Sequence, residues 1–97
     1  MKNELFLCSL FDYYGELLTD KQQQYFKDYY FDNLSYGEIG EKYNISRNAI
    51  FHQLKLIEEK LENYEKKLKL LDKKKKIDDI MNIVDDTRIK DMLKNIF

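Results

Sequence analysis

The stretch LSYGEIGEKYNISRNAIFHQL, residues 34–54, has the spacing of a helix, a tight turn and a second helix. Ser35 followed by Glu38 forms a capping box that starts the first helix, and Ser46 is placed to cap the second. Asn44 lies where a left-handed residue is needed to end the first helix. The turn is about three residues long, and the whole pattern predicts a helix-turn-helix.

Three further residues fit the packing that this motif requires. Gly40 is small at the point where the first helix approaches the second. Ile45, just after the turn, is predicted to point inward as a plug, and Ile50 is predicted to point inward one turn into the second helix.

The second helix is predicted to turn one set of side chains outward. Together with the cap Ser46, they form the candidate nucleic-acid-binding site: Arg47, Asn48, Phe51, His52 and Lys55. Arg47 and Asn48 lie at the helix N-terminus, where Arg pairs with guanine and Asn with adenine in the major groove. Phe51 argues against DNA reading, because a large ring offers only thymine-methyl contact. The alternative is that this face meets protein or solvent.

Upstream, residues 3–14 have helical apolar spacing, and Gly15 is predicted to stop that helix. Thr19 with Gln22 forms another capping box, so a second helix is predicted to about Asp32. Its aromatic face is interpreted either as core or as a platform for stacking nucleobases, and core packing is favoured because only one lysine interleaves the rings. The members of that face are Tyr25, Phe26, Tyr29 and Tyr30.

The helix that begins at Arg47 carries an apolar a/d rhythm that predicts about 25 helical residues, ending near Leu71. The part of this seam beyond the small domain needs a cover, either from a second chain in a homodimer or from the chain's own last two helices. The residues assigned to a dimer seam are Leu54, Ile57, Leu61, Tyr64, Leu68 and Leu71.

After this seam, the lysine run at 73–76 is interpreted as a helix end or an exposed bend with a solvated face, with contact to RNA as the alternative. Two short amphipathic helices are predicted to follow: one contains Ile77 and Val84, and the other is capped by Asp86 or Thr87. The sequence therefore divides into a helix-turn-helix domain with its long helix, 1–71, and a helical appendage, 72–97.

Composition limits the class of protein. The chain has no Pro, only three Gly, 43% hydrophobic residues and 36% charged residues, which together favour an all-α fold. Its net charge of −1 argues against strong indiscriminate binding to nucleic acid. Positive charge is concentrated in residues 35–76.

Other functional classes find little support in the sequence. A single cysteine, Cys8, is expected to be a small buried hydrophobe, and His52 by itself suggests a solvated or hydrogen-bonding side chain. No phosphate-binding loop, metal-ligand spacing or catalytic constellation is present, so we expect no enzymatic activity, no cofactor and no metal. No run approaches the length of a membrane span and no signal-peptide pattern begins the chain, so we expect a cytoplasmic protein without membrane insertion.

Residues 10–70 resemble the YlxM family of small bacterial helix-turn-helix proteins, which are similar to region 4 of sigma factors. The pieces that support the resemblance are LFDYYG, LLT.KQ, YY.D.LS.GEI and ISR.A. It implies a region-4-like all-α fold, a regulatory DNA-binding role and participation in the signal recognition particle pathway. The alternative is an interaction protein that binds the particle's GTPase or RNA. Only Ser46, Arg47 and Asn48 match the family's pattern at the start of the recognition helix.

Overall fold

The computed structural model describes residues 3–83 and 87–96 of the chain. Their regular elements are a 3-10 turn at Gly15–Leu17 and six α-helices: α1 (Glu4–Tyr14), α2 (Asp20–Tyr30), α3 (Tyr36–Tyr43), α4 (Arg47–Leu68), α5 (Leu70–Ile83) and α6 (Thr87–Lys94). The predicted all-α class is confirmed. Val84 and Asp86, which entered the prediction of the last two helices, lie outside the described residues.

Both predicted capping boxes are present. The Thr19 hydroxyl accepts a hydrogen bond from the Gln22 N–H (3.1 Å), and the Gln22 side chain accepts one from the Thr19 N–H (3.1 Å). Ser35 and Glu38 make the same reciprocal pair at the start of α3, also at 3.1 Å. These bonds satisfy N–H groups that the first turn of a helix leaves without partners, which explains why α2 and α3 start where they do.

Gly15 follows the last residue of α1, as predicted, but it does not adopt a left-handed conformation. Its φ is −56°, and the chain tightens there into the 3-10 turn. A Cβ atom at this position would lie 3.0 Å from the ring of Phe11. A larger residue here would need the Phe11 ring to shift by a few tenths of an ångström.

The hydrophobic core lies between α4 and the three helices before it. Its buried apolar residues come from every helix up to α4 and from the segment that joins α1 to α2: Leu7, Leu10, Tyr14, Leu18, Tyr25, Phe26, Ile39, Ile50, Leu54, Ile57 and Leu61. The interpretation of Tyr25 and Phe26 as core is therefore correct. Cys8 is half-buried, and burial, followed by the nearby carboxylates of Asp12 and Glu4, raises the pKa of its thiol.

The seam along α4 is covered by the chain's own helices over most of its length. Leu54, Ile57 and Leu61 are buried in the core formed with α1 and α2, so assigning these three to a dimer seam is wrong in this fold. Tyr64 is half-buried, and Leu68 is 46% exposed. The homodimer itself stays a prediction, but it needs another surface.

The helix that starts at Arg47 is shorter than the sequence predicts, because it ends at Leu68 and not near Leu71. Lys69 has a left-handed conformation with φ 55°. The Tyr14 hydroxyl accepts the Leu70 N–H (3.0 Å) and donates to Glu65 Oε2 (2.9 Å). Acceptors on α1 and α4 thus begin a new helix at this point.

The Glu65 carboxylate completes the start of α5, since it accepts the N–H groups of Leu71 and Asp72, both at 3.2 Å. The lysine run at 73–76 lies inside α5, so its interpretation as a helix end or bend is wrong. Lys74 and Lys76 pair with Asp78 and Asp72 along the helix. The predicted domain boundary after residue 71 falls within α5, and the division into two units remains a prediction.

The turn between α3 and α4 is built as predicted in two of its three positions. Asn44 is left-handed, with φ 56° and ψ 46°, and a Cβ on Gly40 would lie 2.6 Å from the Ile45 carbonyl oxygen. The prediction that the Ile45 side chain points inward is wrong, because this side chain is 36% exposed. Its N–H donates to the Gly40 carbonyl (2.9 Å), while Ile39 before the turn and Ile50 after it are fully buried.

Gly40→Ala is expected to destabilise the protein by about 2 kcal/mol, because the new methyl group meets a backbone atom that cannot move without opening the turn. Gly37→Ala is the matched control on the same helix. Its nearest neighbour would be the Ser35 hydroxyl at 3.9 Å, so it should be neutral or stabilise by roughly 0.5–1 kcal/mol through helix propensity. Urea unfolding of both variants measures the difference, and equal stability would contradict the packing assigned to Gly40.

Candidate nucleic-acid interface

The N-terminus of α4 is presented by the turn that precedes it. The Ser46 hydroxyl accepts a hydrogen bond from the Ala49 N–H (3.1 Å), so this side chain acts as the helix cap. Asn44 reverses the chain two residues earlier. The first turn of α4 therefore starts at a fixed point on the surface, held by local hydrogen bonds.

The structure brings the other predicted site residues together on one exposed face of α4. All five are exposed: Arg47, Asn48, Phe51, His52 and Lys55. Arg47 and Asn48 are adjacent at the N-terminus, and the other three follow over the next two turns. The spacing of this face was predictable, because burying Ile50 and Leu54 leaves these positions on the opposite side of the helix.

Arg47 borders a shallow cleft of about 390 Å³ at the start of α3. Ser35, Gly37 and Tyr36 line it together with Tyr29. The N-terminal ends of α3 and α4 thus lie beside one another, and backbone N–H groups at helix starts favour negatively charged groups. This arrangement suits contact with an anionic group next to Arg47.

Phe51 is partly packed, which the sequence alone did not indicate. Its ring lies edge-on to Tyr36, with centroids 5.6 Å apart, and Tyr36 stacks on Tyr29 at 5.1 Å. The Lys55 ammonium lies 5.6 Å from the centroid of the Phe51 ring, within the range of a cation–π contact. Phe51 is therefore the outer member of an aromatic row that ends on α4.

The aromatic row forms one wall of a groove of about 380 Å³, which we call the aromatic groove. The residues that line it come from four helices: Glu4, Tyr29, Tyr30, Tyr36, Phe51, Leu54, Lys55 and Glu58. Sequence reasoning found Tyr29 and Tyr30 only as members of an aromatic face on α2. Their half-burial at the rim of a groove depends on how α1, α3 and α4 pack around them.

Two of the tyrosines in the groove, Tyr29 and Tyr30, have raised pKa values. Burial, followed by the hydrogen bond that the Tyr30 hydroxyl donates to Glu58, raises the pKa of Tyr30 far above its usual range. A hydrogen bond with Tyr36 and burial raise the pKa of Tyr29 to about 12. The formal charges at the groove are therefore the carboxylates Glu4 and Glu58 and the ammonium of Lys55.

The position of α3 depends on a buried carboxylate, Asp28, which the sequence did not indicate. Asp28 is fully buried and accepts hydrogen bonds from the Lys42 ammonium (2.9 Å), the Tyr43 hydroxyl (2.6 Å) and the Gln24 amide (3.3 Å). Burial alone would raise the pKa of Asp28, but these hydrogen bonds outweigh it and hold the pKa below its usual value. Asp28 thereby ties α2 to the last turn of α3, just before the left-handed Asn44.

Among the described residues, neither a group of metal-binding side chains nor a membrane-spanning helix is present. In residues 3–83 and 87–96, no three His, Cys, Asp or Glu side chains are grouped so that they could hold a metal ion. Across the same ranges, no helix combines the length and the apolar character needed to cross a bilayer.

Comparison with known proteins identifies relatives of this helical unit. Residues 1–96 match the family described as "UPF0122: Putative helix-turn-helix protein, YlxM / p13 like". UPF0122 protein lin1916 of Listeria innocua is 53% identical over 55 residues, covering 57% of this chain and 50% of that protein. UPF0122 protein TTE1463 of Caldanaerobacter subterraneus is 48% identical over 60 residues, covering 62% of this chain and 51% of the relative.

A UPF0122 protein of Desulforamulus reducens is 51% identical over 53 residues, covering 55% of this chain and 45% of that protein. The chain thus spans about half the length of the curated relatives that it matches. The family match extends over nearly all of its residues, and the described helices contain the helix-turn-helix that the family description names. The chain therefore belongs to the UPF0122 family of YlxM/p13-like helix-turn-helix proteins.

Proposed function

We propose that this protein is a regulatory helix-turn-helix protein that binds double-stranded DNA with the first turns of α4 in the major groove. The observation that supports this most directly is the exposure of Arg47 and Asn48, side by side at the start of a capped helix that follows a three-residue turn. Recognition helices of this motif contact base edges with their N-terminal residues.

Each exposed residue of the face has a distinct role in this proposal. Arg47 donates two hydrogen bonds to a guanine, and Asn48 makes a paired donor and acceptor contact with an adenine. His52 and Lys55 lie further along the same face and contact the flanking backbone or bases. Phe51 meets a thymine methyl group, because its ring is held at the surface by Tyr36.

Binding is expected to depend on sequence more than on bulk charge. The net charge of −1 provides little of the phosphate attraction that supports non-specific binding. The carboxylates Glu4 and Glu58 beside the face repel a closely approaching phosphate backbone. A duplex must therefore gain most of its affinity from base contacts and from the cleft beside Arg47.

Selection from a pool of random duplexes by the purified protein tests this proposal. We expect enrichment of a short motif that contains a G and an A at neighbouring positions, which match Arg47 and Asn48. A pool that stays random after repeated rounds would contradict DNA reading by this face.

A second candidate follows from the aromatic groove. Half-buried Tyr29, Tyr30 and Tyr36 next to two carboxylates suit contact with another protein better than contact with a phosphate backbone. The family resemblance points to the GTPase or the RNA of the signal recognition particle as the partner. Retention of the GTPase by immobilised protein, lost in Tyr36→Ala and kept in Arg47→Ala, would favour this candidate over DNA. Failure to retain either particle component would exclude it.

The resemblance to the YlxM family also supports a role in the signal recognition particle pathway. The proposed location is the cytoplasm, because a chain with one cysteine suits a reducing compartment. A regulator of this kind requires no catalysis, cofactor or metal. Fractionation of cells that express a tagged chain tests this location. We expect the chain in the cytoplasmic fraction, and recovery with the membrane pellet would contradict the proposal.

A further inference from the structure

The last two helices and the turn after them carry large apolar side chains that the described part of the chain leaves exposed. We call this set of side chains the tail surface, and its members are Ile80, Ile83, Ile89, Met92 and Ile96. These side chains are between 43% and 80% exposed, and neither α5 nor α6 contains a buried residue. From Ile89 to Ile96 the apolar positions recur every three to four residues, which is the pattern of a helix that packs its apolar stripe against a partner.

The tail helices are short for structures without a covered face. α5 has 14 residues and α6 has 8, and helices of this length are marginal in water unless packing supports them. α5 contacts the domain through its first residues next to α1, and α6 contacts α5. The molecule is elongated accordingly, at 55 × 25 × 24 Å. A partner on the tail surface would supply the missing packing.

The charges of the two helices indicate which partner fits. The second half of α5 is acidic, with Asp78 and Asp79, whereas α6 is mainly basic, with Lys90 and Lys94. If the α6 of a second copy packed against the α5 of the first about a two-fold axis, the basic α6 of each copy would border the acidic half of the other copy's α5. A surface that carries both signs in this order is complementary to itself.

We propose that the tail surface binds the tail surface of a second copy, forming a two-fold four-helix bundle from α5 and α6 of both chains. Nucleic acid fits this surface less well, because five exposed apolar side chains offer it no hydrogen bonds and Asp79 repels phosphate. A lipid surface fits less well because the acidic half of α5 lies beside the apolar residues. The inference requires no DNA binding and is tested without nucleic acid.

Light scattering of the full chain over a range of concentrations tests the proposal. We expect a mass twice that of one chain for the wild type. Ile83→Asp and Met92→Asp are each expected to raise the dissociation constant at least tenfold, because each places a charge in the apolar contact. Leu5→Asp is the matched control: Leu5 is 79% exposed on α1 and is not a member of the tail surface, so its substitution should leave the dimer intact.

Circular dichroism of the same variants keeps the result interpretable, since α1 to α4 should unfold at the same urea concentration in all of them. A wild type that stays monomeric at several hundred micromolar would overturn the proposal. So would equal dissociation constants for Leu5→Asp and Met92→Asp. A monomer that co-sediments with anionic vesicles through Met92 would assign the surface to lipid and also overturn it.

Discussion

Leu61→Asp is expected to unfold the protein and not merely to separate a dimer. Leu61 is fully buried in the core that α4 forms with the preceding helices, so the substitution places an unpaired carboxylate where water cannot reach it. The cost should exceed about 4 kcal/mol, a large part of the roughly 5–15 kcal/mol that stabilises a domain of this size. Circular dichroism at 25 °C should show loss of most of the helical signal.

Leu68→Asp is the matched control, because Leu68 follows Leu61 by two steps of the same a/d rhythm on the same helix. Leu68 is 46% exposed, so its substitution should change the free energy of unfolding by less than about 1 kcal/mol. If both variants stay folded and only lose self-association, the seam of α4 faces a second chain and is not covered by α1 and α2.

Asp28→Ala is expected to cost about 2–3 kcal/mol, because it removes a buried acceptor shared by Lys42, Tyr43 and Gln24. The loss should loosen the end of α3 and, through it, the turn that presents α4. Hydrogen exchange measures this directly: amides of residues 39–46 should exchange faster in the variant. Asp32→Ala, at an exposed position just after α2, should stay within about 0.5 kcal/mol of the wild type.

The contribution of Asp28 should also depend on pH in one direction. Its folded-state pKa lies below the unfolded value, so the native state holds fewer protons and the carboxylate stabilises the fold above the unfolded pKa. The stability difference between wild type and Asp28→Asn should be constant near neutral pH and should shrink as pH falls below about 4. A difference that grows on acidification would contradict the charged state assigned to Asp28.

The parts of the fold that the sequence predicts correctly depend on short-range chemistry. The capping pairs Thr19–Gln22 and Ser35–Glu38 act within three residues, and the left-handed Asn44 ends the helix in which it occurs. The outward face of α4 follows from helical geometry once Ile50 is known to be buried. Local signals of this kind need no knowledge of the rest of the chain.

The errors along α4 have a different cause, since the end of the helix and the cover of its seam both depend on residues distant in sequence. α4 ends at Leu68 because Tyr14, far earlier in the chain, provides an acceptor for the backbone of Leu70. The a/d rhythm of α4 is the same whether α1 and α2 cover it or a second chain does, so periodicity alone cannot assign what buries Ile57.

The error at Ile45 concerns which apolar side chains of the motif point inward. Ile39 from α3 and Ile50 from α4 are both fully buried, whereas Ile45 between them is 36% exposed. The pattern of the motif shows that apolar side chains lie near this point, but only the packing of the two helices decides which of them point inward.

The candidate site likewise has a part that local sequence signals predict and a part that depends on how the helices pack. The exposure of Arg47 and Asn48 at the start of α4 was predictable from their place in the motif, whereas the aromatic groove was not, because four helices contribute to it. Tyr36 has no sequence signal beyond its position after the Ser35 cap. The sequence presents Phe51 as a single large ring on the exposed face of α4. The contact with Tyr36 makes that ring the end of an aromatic row.

The most direct test of the proposed DNA reading compares the affinity of Arg47→Ala and of the wild type for the selected duplex, measured by fluorescence anisotropy at fixed salt. Lys67→Ala, exposed near the other end of α4, is the control for a general loss of charge. We predict that Arg47→Ala weakens binding about 10- to 100-fold and relaxes the preference at one base pair, while Lys67→Ala stays within about twofold of the wild type. Equal affinity of Arg47→Ala and the wild type for that duplex would contradict DNA reading by the start of α4.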